Sequence, residues 1–161
     1  MTQMMIKIDV QTQRLTLFNG SDEVATYIVS TASNGVGEQN GSERTPRGEH
    51  IIRAKIGEAC ERFTIFQARR PTGEIYSETL RAANPQRDWI LTRILWLSGL
   101  EIGKNRLGNV DTMRRYVYIH GAPDGDDFGS PTSHGCIKMR NDDVIDLFDR
   151  VPVGTRVIIT E

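Results

Sequence analysis

Apolar residues recur at every second position from the start of the chain: Ile6, Ile8 and Val10, then Leu15 and Leu17, with "NGSDE" preceding "VATYIVSTA". A period of two puts alternate side chains on opposite faces of a strand, whereas a helix face needs a spacing of three or four. Residues 5–32 therefore read as a β-hairpin unit. Further strand candidates are "EHIIRAKIG", "RFTIFQARR", "IYS" after a "PTGE" turn, "RRYVYIHG" and "GTRVIIT". Two segments read as helices. The first spans about 84–98, with Asn84 as N-cap, Pro85 in the first helical position and Gly99 as stop, and Trp89, Ile90, Leu91, Ile94, Leu95 and Leu97 form a broad apolar face. The second spans about 142–151, capped at Asn141 with Asp142 and Asp143 in its first turn. Val144, Leu147, Phe148 and Val151 supply its core face, and Pro152 ends it. Many strands with two late helices point to a mainly β fold, a sandwich or barrel of mixed sheets, rather than to alternating βαβ units.

The 161 residues suit one domain, 1–161, with a core large enough to fold unaided. A formal charge of -1, from 20 basic and 21 acidic side chains, argues against bulk attraction to nucleic acid or to an anionic membrane. The most apolar window, "WILTRILWLSGL", is too short for a span of about 20 residues and carries Arg93. The first residues show no basic and apolar leader pattern, so the expectation is a soluble, cytoplasmic protein. In a reducing compartment Cys60 and Cys136 are expected as free thiols. No nucleotide-binding glycine motif is present, and no cofactor is called for.

Two loops attract attention. One is "SNGVGEQNGSERTPRG", Ser33 to Gly48, of a length that in compact domains usually serves function. The other holds "SPTSHGCIKMRNDD", Ser130 to Asp143. A thiol becomes a useful nucleophile when its thiolate is stabilised and a base lies near. His120 closes a strand candidate, with fifteen residues between it and Cys136, a loop able to fold back and bring the two together. His134 is only two positions from the sulfur, where an extended backbone makes side chains diverge. A turn through Ser133, His134 and Gly135 could aim the amides of Gly135 and Cys136 at one oxyanion. Such a pair would give the thiol a lowered apparent pKa and faster alkylation near neutral pH than Cys60. The plain alternative is a small buried thiol, which is the reading for Cys60. Zinc ligation by His120, Asp124, Asp126, Asp127, His134 and Cys136 is another alternative, but the spacing matches no zinc motif, and no metal is expected. His50 is placed at a strand edge without a role.

The run "IHGAPDGDDFGSPTSHGCIKMRNDDVIDLF" resembles the signature of the YkuD-type L,D-transpeptidases, in which a histidine and glycine precede S-H-G-C-I-R-M-x-N. "IDVQTQRLTLF", "YIVSTASNGVGE", "GSERTPRGEHII" and "VPVGTRVIIT" follow the family's order of segments, so the resemblance covers essentially the whole chain. It implies Cys136 as nucleophile, His120 as base, and Gly121 as the residue whose carbonyl orients the imidazole. Gly135 and Cys136 fall at the oxyanion-hole amides, Ser133 and His134 at substrate-side positions. Lys138 stands where the family usually has arginine. Lysine keeps the charge but loses the planar fork that grips a carboxylate, a loss Arg140 is placed to offset.

The resemblance also implies a substrate, a peptidoglycan stem tetrapeptide or soluble muropeptide. Cys136 would attack the carbonyl joining the L-centre of a diamino acid to D-alanine and form a thioester. Water as acceptor gives L,D-carboxypeptidase activity, the first expectation for a cytoplasmic protein meeting recycled muropeptides. An amine acceptor gives cross-linking or D-amino-acid exchange, and a non-catalytic fragment binder is the remote alternative. The Ser33–Gly48 loop and the Trp89 segment are expected to wall the pocket.

Overall fold

A computed structural model describes residues 3–161. The chain opens as a three-stranded antiparallel meander, β1 (Met4–Asp9), β2 (Arg14–Asn19) and β3 (Asp22–Ser30), and the alternating residues Ile6, Ile8, Leu15 and Leu17 are all fully buried. It continues through β4 (Gly48–Ile56), β5 (Thr64–Gln67), β6 (Arg70–Ile75), α1 (Glu78–Ala83) and β7 (Ile90–Gly99). A short 3-10 turn at Gly108–Val110 precedes β8 (Tyr118–Gly121), β9 (Ile137–Met139), α2 (Asn141–Arg150) and β10 (Arg156–Thr160).

The strands hydrogen-bond in the order β4-β10-β1-β2-β3-β9-β8-β7, and β4 also pairs with β7, so the sheet closes on itself as a barrel. The β5–β6 hairpin continues the same edge of β7 beyond the end of β4, with Ile65 opposite Leu91 and Ile51 opposite Ser98. Pairing is mixed: β1 runs parallel to β10 and β8 parallel to β9, the rest antiparallel. The mainly β barrel of mixed sheet with two helices is the architecture expected from the strand periodicity.

The first helix differs from expectation. Residues 90–99 form strand β7, and α1 lies earlier, over Glu78–Ala83. Ser77 caps α1, its Oγ accepting the Leu80 amide at 3.1 Å. Asn84 is the end of that helix rather than the start of another: its amide donates to the Arg81 carbonyl and its Nδ2 to the Leu80 carbonyl. The cause of the misreading is burial on both faces. β7 has strand neighbours on both edges and α2 packed against it, so its apolar residues run continuously, and a fully buried strand and a buried helix then share one pattern. A bulge, with Thr92 at φ 75°, removes what alternation remained.

α2 matches its expected span, but its N-cap is Arg140, and Asn141 is a buried first-turn residue. Val144, Leu147 and Phe148 bury in the same core as Ile6, Leu17 and Ile119, each worth about 1.5–3 kcal/mol of burial. "PTGE" lies inside β6, and the turn before it is the two-residue Ala68-Arg69. His50 sits inside the sheet, fully buried, because β4 is paired on both sides. No helix among the described residues is long and apolar enough to cross a membrane.

Candidate active site

Strand alternation builds the site. β8 and β9 pair in parallel with Ile119 opposite Ile137 and His120 opposite Lys138. Ile119, Ile137 and Met139 point into the barrel core. The alternate residues Tyr118, His120, Cys136 and Lys138 all face the other way and line one cavity of about 430 Å3. Ala68, Arg69, Asp88, Arg115, Tyr116 and His134 complete its walls.

His120 is 2% exposed, and its Nδ1 lies 2.7 Å from the Gly121 carbonyl oxygen. A carbonyl only accepts, so Nδ1 carries the proton and Nε2 keeps its lone pair. Burial holds the imidazole below its ordinary pKa, against the Gly121 hydrogen bond, so the ring is a neutral base at neutral pH. Gly121 must be small: a Cβ there would meet Asn141 Oδ1 and the Leu91 carbonyl, each at 2.6 Å. Asn141 ties this corner together. It donates through Nδ2 to the Ala122 carbonyl (2.8 Å) and Asp124 Oδ1 (2.9 Å), and its Oδ1 accepts from Thr92 Oγ1 (2.5 Å). The residue expected to cap α2 instead fastens α2 to the segment that follows His120.

Cys136 is a half-buried free thiol. Its Sγ accepts the Tyr118 amide at 3.3 Å and donates to the Tyr116 carbonyl at 3.4 Å, with no hydrogen bond to His120 among the described residues. Burial pushes the thiol up to about 12, and the Tyr118 amide, Arg115 and Lys138 only partly counter it. The expected lowering is therefore not present. In this state the pair is thiol and neutral imidazole, and the thiol proton is directed at the Tyr116 carbonyl rather than at Nε2.

The turn that carries Cys136 is closed by Ser133, 2% exposed. Its Oγ donates to the Cys136 carbonyl at 2.6 Å and accepts the Gly135 amide at 3.1 Å. Ser133 thus shapes the turn rather than presenting its hydroxyl to a substrate. The Gly135 amide is spent on it, which leaves the Cys136 amide as the oxyanion donor of the expected pair. Gly135 has φ 131°, a value that favours glycine. The Ser33–Gly48 loop braces the same turn: Thr45 Oγ1 donates to the Gly135 carbonyl (3.0 Å) and accepts the Ala32 amide (3.0 Å). Arg115 pins that loop through the Gly37 and Arg44 carbonyls.

His134 is exposed on the cavity wall, as the spacing suggested. Lys138 reaches Asp126 at 3.3 Å, and Arg81 holds the other oxygen of the same carboxylate at 3.0 Å, so the lysine is ion-paired while two cations share one negative charge. Arg140 is exposed, stacks on Phe128 at 5.3 Å and lies outside the cavity lining. Two cations face the cavity without an acidic partner among the described residues: Arg115, whose guanidinium is taken up by the Gly37 and Arg44 carbonyls, and Arg69, at the tip of the β5–β6 hairpin. The Arg69 guanidinium donates to Tyr118 Oη at 3.0 Å and stacks on Trp96 and Tyr116 at 4.9 and 4.7 Å. Ala68 and Arg69 both have positive φ, 48° and 63°, the geometry of a type I′ turn. Ala-Arg gives no local sequence signal for such a turn, so Arg69 was not found by reading the sequence. Among the described residues, no cluster of three or more metal-ligating side chains forms.

Comparison with known proteins bears on the family and on the fold. Residues 3–159 match the model of the YkuD family, the L,D-transpeptidase catalytic domain. A putative L,D-transpeptidase YkuD of Bacillus subtilis is 38% identical over 89 residues, which is 55% of this chain and 44% of that protein. A putative L,D-transpeptidase YqjB of the same species is 51% identical over 47 residues, 29% of this chain and 27% of that protein. The matched stretches thus span less than half of those relatives. Among solved structures, L,D-transpeptidase 3 from Mycobacterium tuberculosis with a faropenem-derived adduct superposes with a TM-score of 0.61 at 17% identity, covering 99% of this chain and 61% of that one. A Mycobacterium smegmatis L,D-transpeptidase gives 0.58 at 18% identity, covering 99% and 59%. At that identity the superpositions speak for the fold. The family model spans nearly all of the described residues, and the chain belongs to the YkuD family of L,D-transpeptidase catalytic domains.

Proposed function

We propose that the protein cleaves the bond between the L-centre of a diamino acid and terminal D-alanine in peptidoglycan stem tetrapeptides, through a thioester on Cys136. The observation that carries this reading is the shared face of β8 and β9: one cavity holds a thiol, an imidazole with its Nδ1 proton anchored on Gly121, and a cation, Arg69, suited to a terminal carboxylate. On attack, Sγ bonds to the substrate carbonyl carbon and its proton passes to His120 Nε2. The Cys136 amide donates to the developing oxyanion. The imidazolium returns the proton to the departing amine, D-alanine leaves, and the thioester remains. Water then attacks, His120 takes its proton, and the thiol is expelled with a tripeptide as product.

Water is assigned as the acceptor because the cavity, about 430 Å3, is bounded by the Ala68-Arg69 turn, Asp88 and Ile90. The Ser33–Gly48 loop, expected as a wall, does not line it, and Trp89 is buried in a core cluster between those two residues. That assignment makes the protein an L,D-carboxypeptidase trimming muropeptides, a role that fits a cytoplasmic enzyme of wall recycling. An amine acceptor is the second reading, favoured by the names of the relatives, all L,D-transpeptidases. Solved neighbours carry imipenem or a faropenem-derived adduct, and the same β-lactam classes are expected to acylate Cys136. Incubation with a disaccharide tetrapeptide, read by mass spectrometry, separates the two. Tripeptide without dimer supports hydrolysis, and dimers or D-amino-acid exchange overturn it in favour of transpeptidation.

A further inference from the structure

A second cavity, about 520 Å3, lies on the other side of Tyr116, between β4, the end of β7 and the segment leading to β8. Arg53, Arg106 and Arg114 line it, with Trp96 and Tyr116 as its aromatic wall. Among the described residues none of these three arginines makes an ion pair or a side-chain hydrogen bond, whereas Arg47, Arg62, Arg81, Arg87, Arg150 and Arg156 each meet a carboxylate. The one acidic residue in the groove is already engaged: Asp111 accepts the Leu107 amide at 2.6 Å and the Arg114 amide at 2.9 Å. Other arginines, such as Arg14 and Arg70, also lack a carboxylate, but these three, all exposed, converge on one concavity that holds a single acidic residue.

Tyr116 links this groove to the thiol. It lines both cavities, and its carbonyl receives the Cys136 Sγ hydrogen bond. Arg69 lies over the rings of Tyr116 and Trp96, so the partition is a stacked trio, Arg69, Tyr116 and Trp96. Tyr116 and Leu107 hold positive φ, 56° and 68°, as do Ala68 and Arg69 in the thiol cavity. Backbone of this kind costs free energy and persists where surrounding structure imposes it, often at ligand sites.

We propose that the Arg53/Arg106/Arg114 groove is an anion subsite that holds the free carboxylates of an acidic peptide, whose chain crosses Tyr116 to place its scissile bond at Cys136. The assignment of a peptide, rather than a phosphate-bearing ligand, rests on the acyl-transfer reading above, since guanidinium forks accept either anion. The subsite supplies binding from groups remote from the reacting bond.

The test uses the full chain carrying Cys136→Ala, so that the ligand survives, and calorimetry with a stem tetrapeptide and with the same peptide amidated at its side carboxylates. The free-carboxylate peptide is expected to bind roughly tenfold or more tightly than the amidated one, a charge-assisted hydrogen bond being worth that much. Combining Arg53→Gln, Arg106→Gln and Arg114→Gln is expected to erase that difference, Lys at the same three positions to restore part of it, and Arg14→Gln, on β2, to leave it intact. Equal affinity for the two peptides in the Cys136→Ala protein overturns the subsite, and so does a triple Gln variant that keeps the full preference. Competition by millimolar inorganic phosphate without any carboxylate preference reassigns the groove to phosphate and overturns it too. Release of D-alanine by the unmodified enzyme is read separately: release with no carboxylate preference sinks the subsite alone, and a carboxylate preference with no release sinks the catalytic reading alone.

Discussion

Two buried histidines, His50 on β4 and His120 on β8, have the same first hydrogen bond and different second ones. Each ring directs Nδ1 at a nearby backbone carbonyl, Gly48 at 3.0 Å and Gly121 at 2.7 Å. His50 then spends Nε2 on Thr112 Oγ1 at 3.0 Å, sealed between strands. His120 has no such partner for Nε2 among the described residues, and its ring borders the cavity that holds Cys136. Burial and a neutral ring are common to both, so neither marks a catalytic base. The uncommitted nitrogen facing a cavity does.

Exchange of roles between these histidines would break that comparison, and the largest effect is expected at His120. His120→Gln should lower kcat for D-alanine release by roughly 10²–10⁴-fold, the usual contribution of a general base, while the melting temperature moves little. His50→Gln should do the reverse, keeping turnover and losing stability. A pH titration sharpens the contrast. Burial lowers the His50 pKa to about 4 from an ordinary 6.5, so the unfolded chain takes up the proton first. Stability from this group is fully present above pH 6.5 and drains away as pH falls through 4, by about 3 kcal/mol. Urea unfolding between pH 7 and pH 4 measures it, and His50→Gln should flatten that part of the profile.

Smaller effects are expected at residues around the thiol. Ser133→Ala strands the Gly135 amide and the Cys136 carbonyl in a buried turn, which should cost about 1–3 kcal/mol and lower kcat more than it raises KM. Arg140→Ala should be the mildest change. Its side chain is exposed, stacked on Phe128 and away from the cavity, so KM for the tetrapeptide should stay within about twofold, in line with ordinary surface substitutions. A large rise in KM would return Arg140 to the substrate-gripping role that the sequence suggested for it.

What the sequence made legible follows a physical divide. Local periodicity was enough for α2, for the final strand and for the strand character of residues 5–32, each buried on one face. It read as a hairpin what is the three-stranded β1–β3 meander, with an extra turn between Asp9 and Arg14. It failed at β7, buried on both faces, where Trp89 to Leu97 reads equally well as a helix. Gly121 was implied by the family resemblance, and the thiol and the upstream histidine stood out as chemistry placed in a short, glycine-rich stretch. The residues that hold or surround them did not. Thr45 and Arg115 brace the Cys136 turn from distant parts of the chain, Lys138 pairs with an Asp126 that Arg81 also holds, and Arg69 enters the cavity through a turn whose sequence does not announce it. Such contacts depend on the closure of the barrel, and spacing along the chain carries no trace of them.

The direct test of the thiol's role is D-alanine release from a stem tetrapeptide by the parent protein and by Cys136→Ala, under identical conditions and after both are shown to be folded. The parent should release D-alanine, and the variant should be slower by at least about 10⁴-fold. Release by Cys136→Ala at the parent's rate would contradict the assignment of Cys136 as nucleophile.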